Sequence, residues 1–180
     1  EDSIGPWRDE LILADPEPRH CLRFDTAPLT ATTRFGGTPV VRFAASFDAP
    51  AAILSVMLVD IGSHRRLTTA QVSTGSLVCG LDGPTIPTKR LAVERETSAY
   101  RILSRGWMDA RNAEAPWARR RLEPDAWHRY AIAMEPFDQT VTAGDRLRLI
   151  IFGTDPEATT KPRGQRLITI NTASVTLELG

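Results

Sequence analysis

Alternation of apolar and polar positions is the dominant signal in the sequence. Residues 127–152 hold two such runs. In the first, Tyr130, Ile132 and Met134 alternate with Arg129, Ala131, Ala133 and Glu135. In the second, Leu147, Leu149 and Ile151 alternate with Arg146, Arg148 and Ile150. A period of two puts each set on one face of a β-strand. Pro136 has no N–H for a ladder and ends the first run, and Gly144 supplies a turn before the second. The spacing predicts a β-hairpin whose buried face is Tyr130, Ile132 and Met134 beside Leu147, Leu149 and Ile151.

The same reading extends along the chain. Residues 40–47 form the clearest early strand, with Val41, Phe43, Ala45 and Phe47 on one face. Residues 53–60 are apolar on both faces, which is the pattern of a central strand covered on both sides. Gly62-Ser63 is expected to end that strand, and residues 67–73 to return as its neighbour. Gly75, Gly80, Gly83, Pro84 and Pro87 predict a loop over 74–88. Short strands are expected at 20–25 and 100–107, and 91–96 as a short strand or an extended connection, with 29–35 extended and a turn at Gly36-Gly37. Pro116 restricts helix in 108–121 to a turn or two. In the last segment, Ile168 and Ile170 have one parity and Val175, Leu177 and Leu179 the other, so a bulge or tight turn is required within 171–174.

Residues 1–19, punctuated by Gly5-Pro6, Asp15-Pro16 and Glu17-Pro18, read as a lead-in strap, and residues 20–180 as a single domain. Roughly nine or ten short strands with hardly any helical periodicity predict an all-β fold. The architecture expected is a jelly-roll β-sandwich of the galactose-binding-domain type, with few or no long helices.

Bulk properties narrow the function classes. A chain of 180 residues can bury roughly 70% of its unfolded surface, so it needs no metal or disulfide to hold it together. Lys and Arg number 22, matched by 22 Asp and Glu, which removes the electrostatic argument for nucleic acid or an anionic membrane. The densest basic cluster, Arg119, Arg120 and Arg121, reads as a solvated face or a domain contact. No apolar run approaches the roughly 20 residues that span a bilayer. Cys21 and Cys79 form no Cys-x-x-Cys pair; one disulfide and two buried thiols both fit them. The chain starts Glu-Asp-Ser without a methionine or a signal-like segment, and is expected to be a piece of a longer protein.

Candidate chemistry is sparse. A hydrolase elbow requires Gly-x-Ser-x-Gly between strand and helix; Gly62-Ser63 and Gly75-Ser76 lack the second glycine. His20, His64 and His128 are scattered, and His128 reads as a satisfied histidine at a strand start. Asp109 with Glu114, and Asp155 with Glu157, read as solvated groups or turn caps rather than a glycosidase pair. Among the tryptophans, Trp107 and Trp127 bound strands and suit core edges, whereas Trp7 and Trp117 suit docking on another domain. A flat sugar-binding face is the alternative for the four.

Four stretches in order carry a resemblance: Pro39-Val-Val-Arg-Phe-Ala-Ala-Ser-Phe-Asp-Ala-Pro50, Leu54-Ser-Val-Met-Leu-Val-Asp-Ile-Gly62, Ser104-Arg-Gly-Trp-Met-Asp-Ala-Arg-Asn112, and residues 130–149 with Glu135-Pro136 and Ala143-Gly-Asp-Arg-Leu-Arg-Leu149. Together they resemble the C-terminal non-catalytic domain of the Xaa-Pro dipeptidyl-peptidase and cocaine-esterase-type serine hydrolases. Asp145 stands where that family often has histidine. The long connection over 74–99 is closer to the peptidase branch than to the esterase branch. The resemblance implies a jelly roll packed on an upstream α/β-hydrolase domain of the same polypeptide, which holds the Ser, Asp and His triad. It implies no catalytic, cofactor-binding or metal residue on this chain. The parent would release Xaa-Pro dipeptides or cleave an ester or amide, with substrate access or oligomer contacts shaped by this domain. The alternative is a free-standing carbohydrate- or protein-binding sandwich.

Overall fold

A computed structural model describes residues 21–77, 86–155, 159 and 167–179, with side chains left undescribed over 67–77 and 86–96. Its elements are β1 (Cys21–Asp25), β2 (Thr33–Gly37), β3 (Val40–Phe47), β4 (Ile53–Leu77), β5 (Ile86–Asp109), a 3-10 turn at Ala110–Asn112, β6 (His128–Ala133), β7 (Phe137–Val141), β8 (Arg146–Phe152) and β9 (Ile168–Glu178). The chain divides into two compact units, Glu1–Ile61 with Arg101–Gly180, and Gly62–Tyr100.

The strands form a four-stranded sheet in the order β1-β8-β4-β5, a three-stranded sheet in the order β6-β3-β9, and a two-stranded β2-β7 pair. One core joins them. Leu54, Val56 and Leu58 of β4 and Leu147, Leu149 and Ile151 of β8 pack with Val41, Phe43, Ala45 and Phe47 of β3 and Tyr130 and Ile132 of β6. The Tyr130 ring meets Phe47 edge-on, with centroids 5.7 Å apart. The fold is an all-β sandwich, as the alternation predicts. The opposite face of β4 is closed as well: Ser55, Met57 and Val59 are fully buried or nearly so. That strand is therefore central, as its two apolar faces require.

The expected hairpin of 127–152 is not one. β6 pairs with β3, Tyr130 lying opposite Phe43, whereas β8 pairs with β1 and β4. β6 ends at Ala133, three residues before Pro136, and residues 137–141 then form a further strand paired with β2. The connection thus crosses from one sheet to the other, and the two alternating runs face each other across the core. Gly144, at φ 91°, makes the turn into β8.

Gly62-Ser63 does not end β4, and residues 67–73 continue the same strand instead of returning. Among the described glycines a positive φ occurs at Gly37 and Gly144, so Gly62 stays extended and the chain does not turn there. Thr68, Thr69, Val72 and Thr74 suit the extended backbone that follows. The loop expected over 74–88 is strand at both ends, since β4 runs to Leu77 and β5 starts at Ile86; residues 78–85 lie outside the described ones. Residues 91–96 are part of the long β5 rather than a separate short strand. Pro87 is tolerated near the start of β5 because that strand is the edge of its sheet. Within the unit Gly62–Tyr100, the Arg66 guanidinium donates to the Ser98 carbonyl at 2.9 Å.

The parity switch in the last strand is a bulge. Arg42 lies opposite Thr176 and Ala44 opposite Asn171, so residues 172–175 oppose Phe43 alone. Ser174 Oγ accepts from the Ala44 N–H at 2.8 Å and donates to the Asn171 carbonyl at 2.7 Å, which holds the bulge closed.

Candidate functional site

The Arg105-Gly106-Trp107 stretch builds the most elaborate polar cluster. In a strand, residues two apart point to the same side. Arg105 and Trp107 both reach Asp155, whose carboxylate accepts from Arg105 Nη1 at 3.0 Å and from Trp107 Nε1 at 2.9 Å. Asp155 is 1% exposed and the Arg105 side chain 14% exposed, so this ion pair is buried. The Asp155 carbonyl accepts from the Thr159 N–H at 2.8 Å and from its hydroxyl at 2.7 Å. The cluster therefore clamps the segment leaving β8 onto β5. Gly106 points the other way, where a Cβ would stand 3.0 Å from Ile132 Cγ2 and 3.1 Å from both the Ala133 carbonyl oxygen and Met134 Cα. That close approach lets the Glu135 N–H donate to the Arg105 carbonyl at 2.6 Å and Ser104 Oγ donate to the Glu135 carbonyl at 2.5 Å.

Several other described carboxylates also engage arginines. Asp60, 1% exposed, pairs with Arg101 at 3.2 Å, and Arg101 also donates to the Thr140 carbonyl at 2.7 Å. Asp25 takes a two-pronged bond from Arg148 at 2.7 Å on each oxygen. That bond, ahead of the opposing effect of burial, lowers the Asp25 pKa. Asp138 is held by Arg34 in the same two-pronged way. Asp109 caps the 3-10 turn by accepting from the Arg111 N–H at 3.0 Å, and its hydrogen bond to the Arg111 guanidinium is the main cause of its lowered pKa. Of the two carboxylate pairs marked in the sequence, Asp109 is a cap as expected and Glu114 pairs with Arg120 at 3.1 Å. Asp155 is neither solvated nor a cap but the centre of a buried ion pair, and Glu157 lies outside the described residues.

His128 starts β6 half-buried opposite Ala45, and its Nε2 finds no hydrogen-bond partner among the described residues, in contrast to the satisfied histidine expected. His64 lies on β4, while His20, Trp7 and Cys79 fall outside the described residues. Tyr130 Oη is likewise buried without a partner. Burial first, and the Asp109 charge second, push its pKa up to about 12. Among the described residues, no group of three or more His, Cys, Asp and Glu is placed to hold a metal ion. Trp107 is partly buried and hydrogen-bonded, as a core-edge position predicts. Trp127 departs from that expectation: it is 55% exposed, and Trp117 is 86% exposed.

A model of the X-Pro dipeptidyl-peptidase C-terminal non-catalytic domain matches residues 5–178. The chain belongs to this family. It is 25% identical over 179 residues to a Xaa-Pro dipeptidyl-peptidase of Lactobacillus helveticus, spanning 98% of this chain but 22% of that protein. The Xaa-Pro dipeptidyl-peptidase of Lacticaseibacillus casei is 27% identical over 137 residues, or 75% of this chain and 17% of that protein. The chain thus spans about a fifth of the length of these relatives. Among solved structures, the fold is shared with an aminopeptidase from a marine sediment archaeon, Thaumarchaeota archaeon, at a TM-score of 0.61 and 16% identity, over 94% of this chain and 26% of that one. It is shared also with an α-amino acid ester hydrolase, at a TM-score of 0.59 and 16% identity, over 93% and 26% of the two chains. Within the matched span the Arg105-Gly106-Trp107 stretch has the clearest physical content, because each of its three residues has a separate task in the clamp. Sequence reasoning missed Asp155 as their partner. It lies 48 residues beyond Trp107, and nothing local marks it.

Proposed function

We propose that this domain is the accessory, non-catalytic part of a Xaa-Pro dipeptidyl-peptidase-type serine hydrolase. In that role it packs on an α/β-hydrolase domain of the same polypeptide, shapes substrate access or oligomer contacts, and supplies no catalytic residue. The observation that carries the reading is the family match over 5–178 in a chain about a fifth as long as its relatives. The use made of the polar residues supports it. Asp25, Asp60, Asp109, Asp138 and Asp155 each hold an arginine, which is structural employment of groups that could otherwise act as acids or bases. The test is the polypeptide upstream of this domain in its source. A Gly-x-Ser-x-Gly elbow set between a strand and a helix there, with loss of peptidase activity on replacing its serine, is expected. An upstream region without such an elbow would overturn the proposal.

A further inference from the structure

The exposed large hydrophobic side chains of the described residues are Trp117, Trp127 and Leu167, at 86%, 55% and 64% exposure. They are far apart in sequence, yet the segments carrying them are tied to one stretch, Phe47 at the end of β3 and residues 48–52 that lead to β4. Leu167 exchanges two hydrogen bonds with Asp48, donating to Oδ1 at 3.0 Å and accepting from the Asp48 N–H at 3.3 Å. The Asp125 and Leu122 N–H groups donate to the carbonyls of Phe47 and Pro50 at 2.9 and 3.2 Å. The Ala110 N–H donates to the Ala52 carbonyl at 2.9 Å, so the 110–126 connection with Trp117 is anchored there at both ends. Register fixes the position of the other two. His128 opposes Ala45 and Ile168 opposes Phe47, and both β3 residues face the core. Trp127 and Leu167, one residue before each of these strands, are exposed on either side of β3. Arg119, Arg120 and Arg121, all exposed, lie on the same 110–126 connection. Tryptophan and arginine around an aliphatic side chain make the composition of a protein-docking patch.

We infer that this end of the sandwich is where the domain docks on the hydrolase portion of its own polypeptide, a refinement that rests on the reading above. Two observations choose that occupant. The relatives and the fold-sharing hydrolases devote about three-quarters or more of their length to other parts, since this domain covers 22% of the Lactobacillus helveticus protein and 26% of each solved hydrolase chain. The described chain also enters the sandwich at this end. Cys21 opens β1 opposite Phe152 of β8, which opposes Ser55, three residues past Ala52. Cys21 therefore lies at the same end of the strands as the 48–52 connection.

The experiment uses the full parent polypeptide with p-benzoylphenylalanine replacing Trp117, Trp127 or Thr142 in turn. Thr142 is exposed and precedes β8, at the opposite end of the strands. After irradiation, mass spectrometry should find cross-links from positions 117 and 127 to peptides of the hydrolase portion within one chain, and none from 142. Cross-links from 142 alone overturn the inference but leave an accessory domain docked by another face. Cross-links from 117 and 127 to a second copy, seen as a dimer band, overturn it in favour of self-association. Saturable quenching of the parent's fluorescence by a polysaccharide, abolished in Trp127→Ala, overturns it in favour of a sugar-binding face. A parent without a hydrolase portion removes the underlying reading as well.

Discussion

Gly106→Ala isolates one packing requirement, because the glycine sits where β5 passes close to the end of β6. Its Cβ would lie 3.0 Å from Ile132 Cγ2 and 3.1 Å from two backbone atoms, the Ala133 oxygen and Met134 Cα. The Ile132 methyl can rotate away, but the backbone atoms are fixed by the Glu135-to-Arg105 and Ser104-to-Glu135 hydrogen bonds. Overpacking of this kind costs about 1–3 kcal/mol. Against it stands the reduced freedom of the unfolded chain, which favours alanine by about 0.4–1 kcal/mol at a backbone position open to it. The expected net loss is about 1–2 kcal/mol, or roughly 2–8 °C in Tm for a chain of this size. Urea titration followed by tryptophan fluorescence measures it, and an unchanged slope would show that the unfolded state is the same. Gly36→Ala is the control, because its nearest contact would be 3.5 Å from the Phe137 oxygen, an ordinary distance. A Gly106→Ala chain as stable as the control would refute the claim that Gly106 is needed for close approach.

Tyr130→Phe removes a buried hydroxyl that has no partner, so it should raise stability by about 1 kcal/mol in the same titration; an equal loss would show that the hydroxyl is bonded after all. Asp155→Asn withdraws the charge facing the buried Arg105 guanidinium and should cost about 3 kcal/mol, with stability equal to the parent as the contrary result. Asp25 has a lowered pKa in the fold, chiefly through its hydrogen bond to Arg148. Its stabilisation is therefore complete above the unfolded-chain value of about 4 and is lost as pH falls through the folded-state value. Asp25→Asn should cost about 1 kcal/mol near neutral pH, discounted for the pair's partial exposure, and the gap to the parent should close in acid; a gap independent of pH would contradict this.

Strand positions were legible wherever burial enforces a period of two. The alternation of Val41, Phe43, Ala45 and Phe47 located β3, and the doubly apolar run from Ile53 located the central part of β4. The parity break before Val175 located the bulge, since the pleat allows no other way to keep both halves of β9 on one core. Partnership between strands was much less legible. The two runs flanking Pro136 have complementary buried faces whether they pair edge to edge or face each other across the sandwich, and alternation is identical in both cases. Residues 137–141 decide between these, and their Phe-Asp-Gln-Thr-Val pattern is too short and polar to stand out from a loop. Gly62 misled for a related reason: glycine permits a turn without requiring one. Ion-pair partners such as Asp155 with Arg105, or Asp60 with Arg101, are set by sheet topology and leave no mark on local spacing. Exposure of Trp127 was missed because a tryptophan at a strand start suits a core edge and a docking face equally.

Turnover of an Ala-Pro chromogenic substrate, measured in parallel for the isolated 180-residue chain and for its parent polypeptide, tests the central claim most directly. Hydrolysis by the parent and none by the isolated chain is the expected result. Activity that persists in the isolated chain through successive purification steps, at a constant rate per mole of protein, would contradict it.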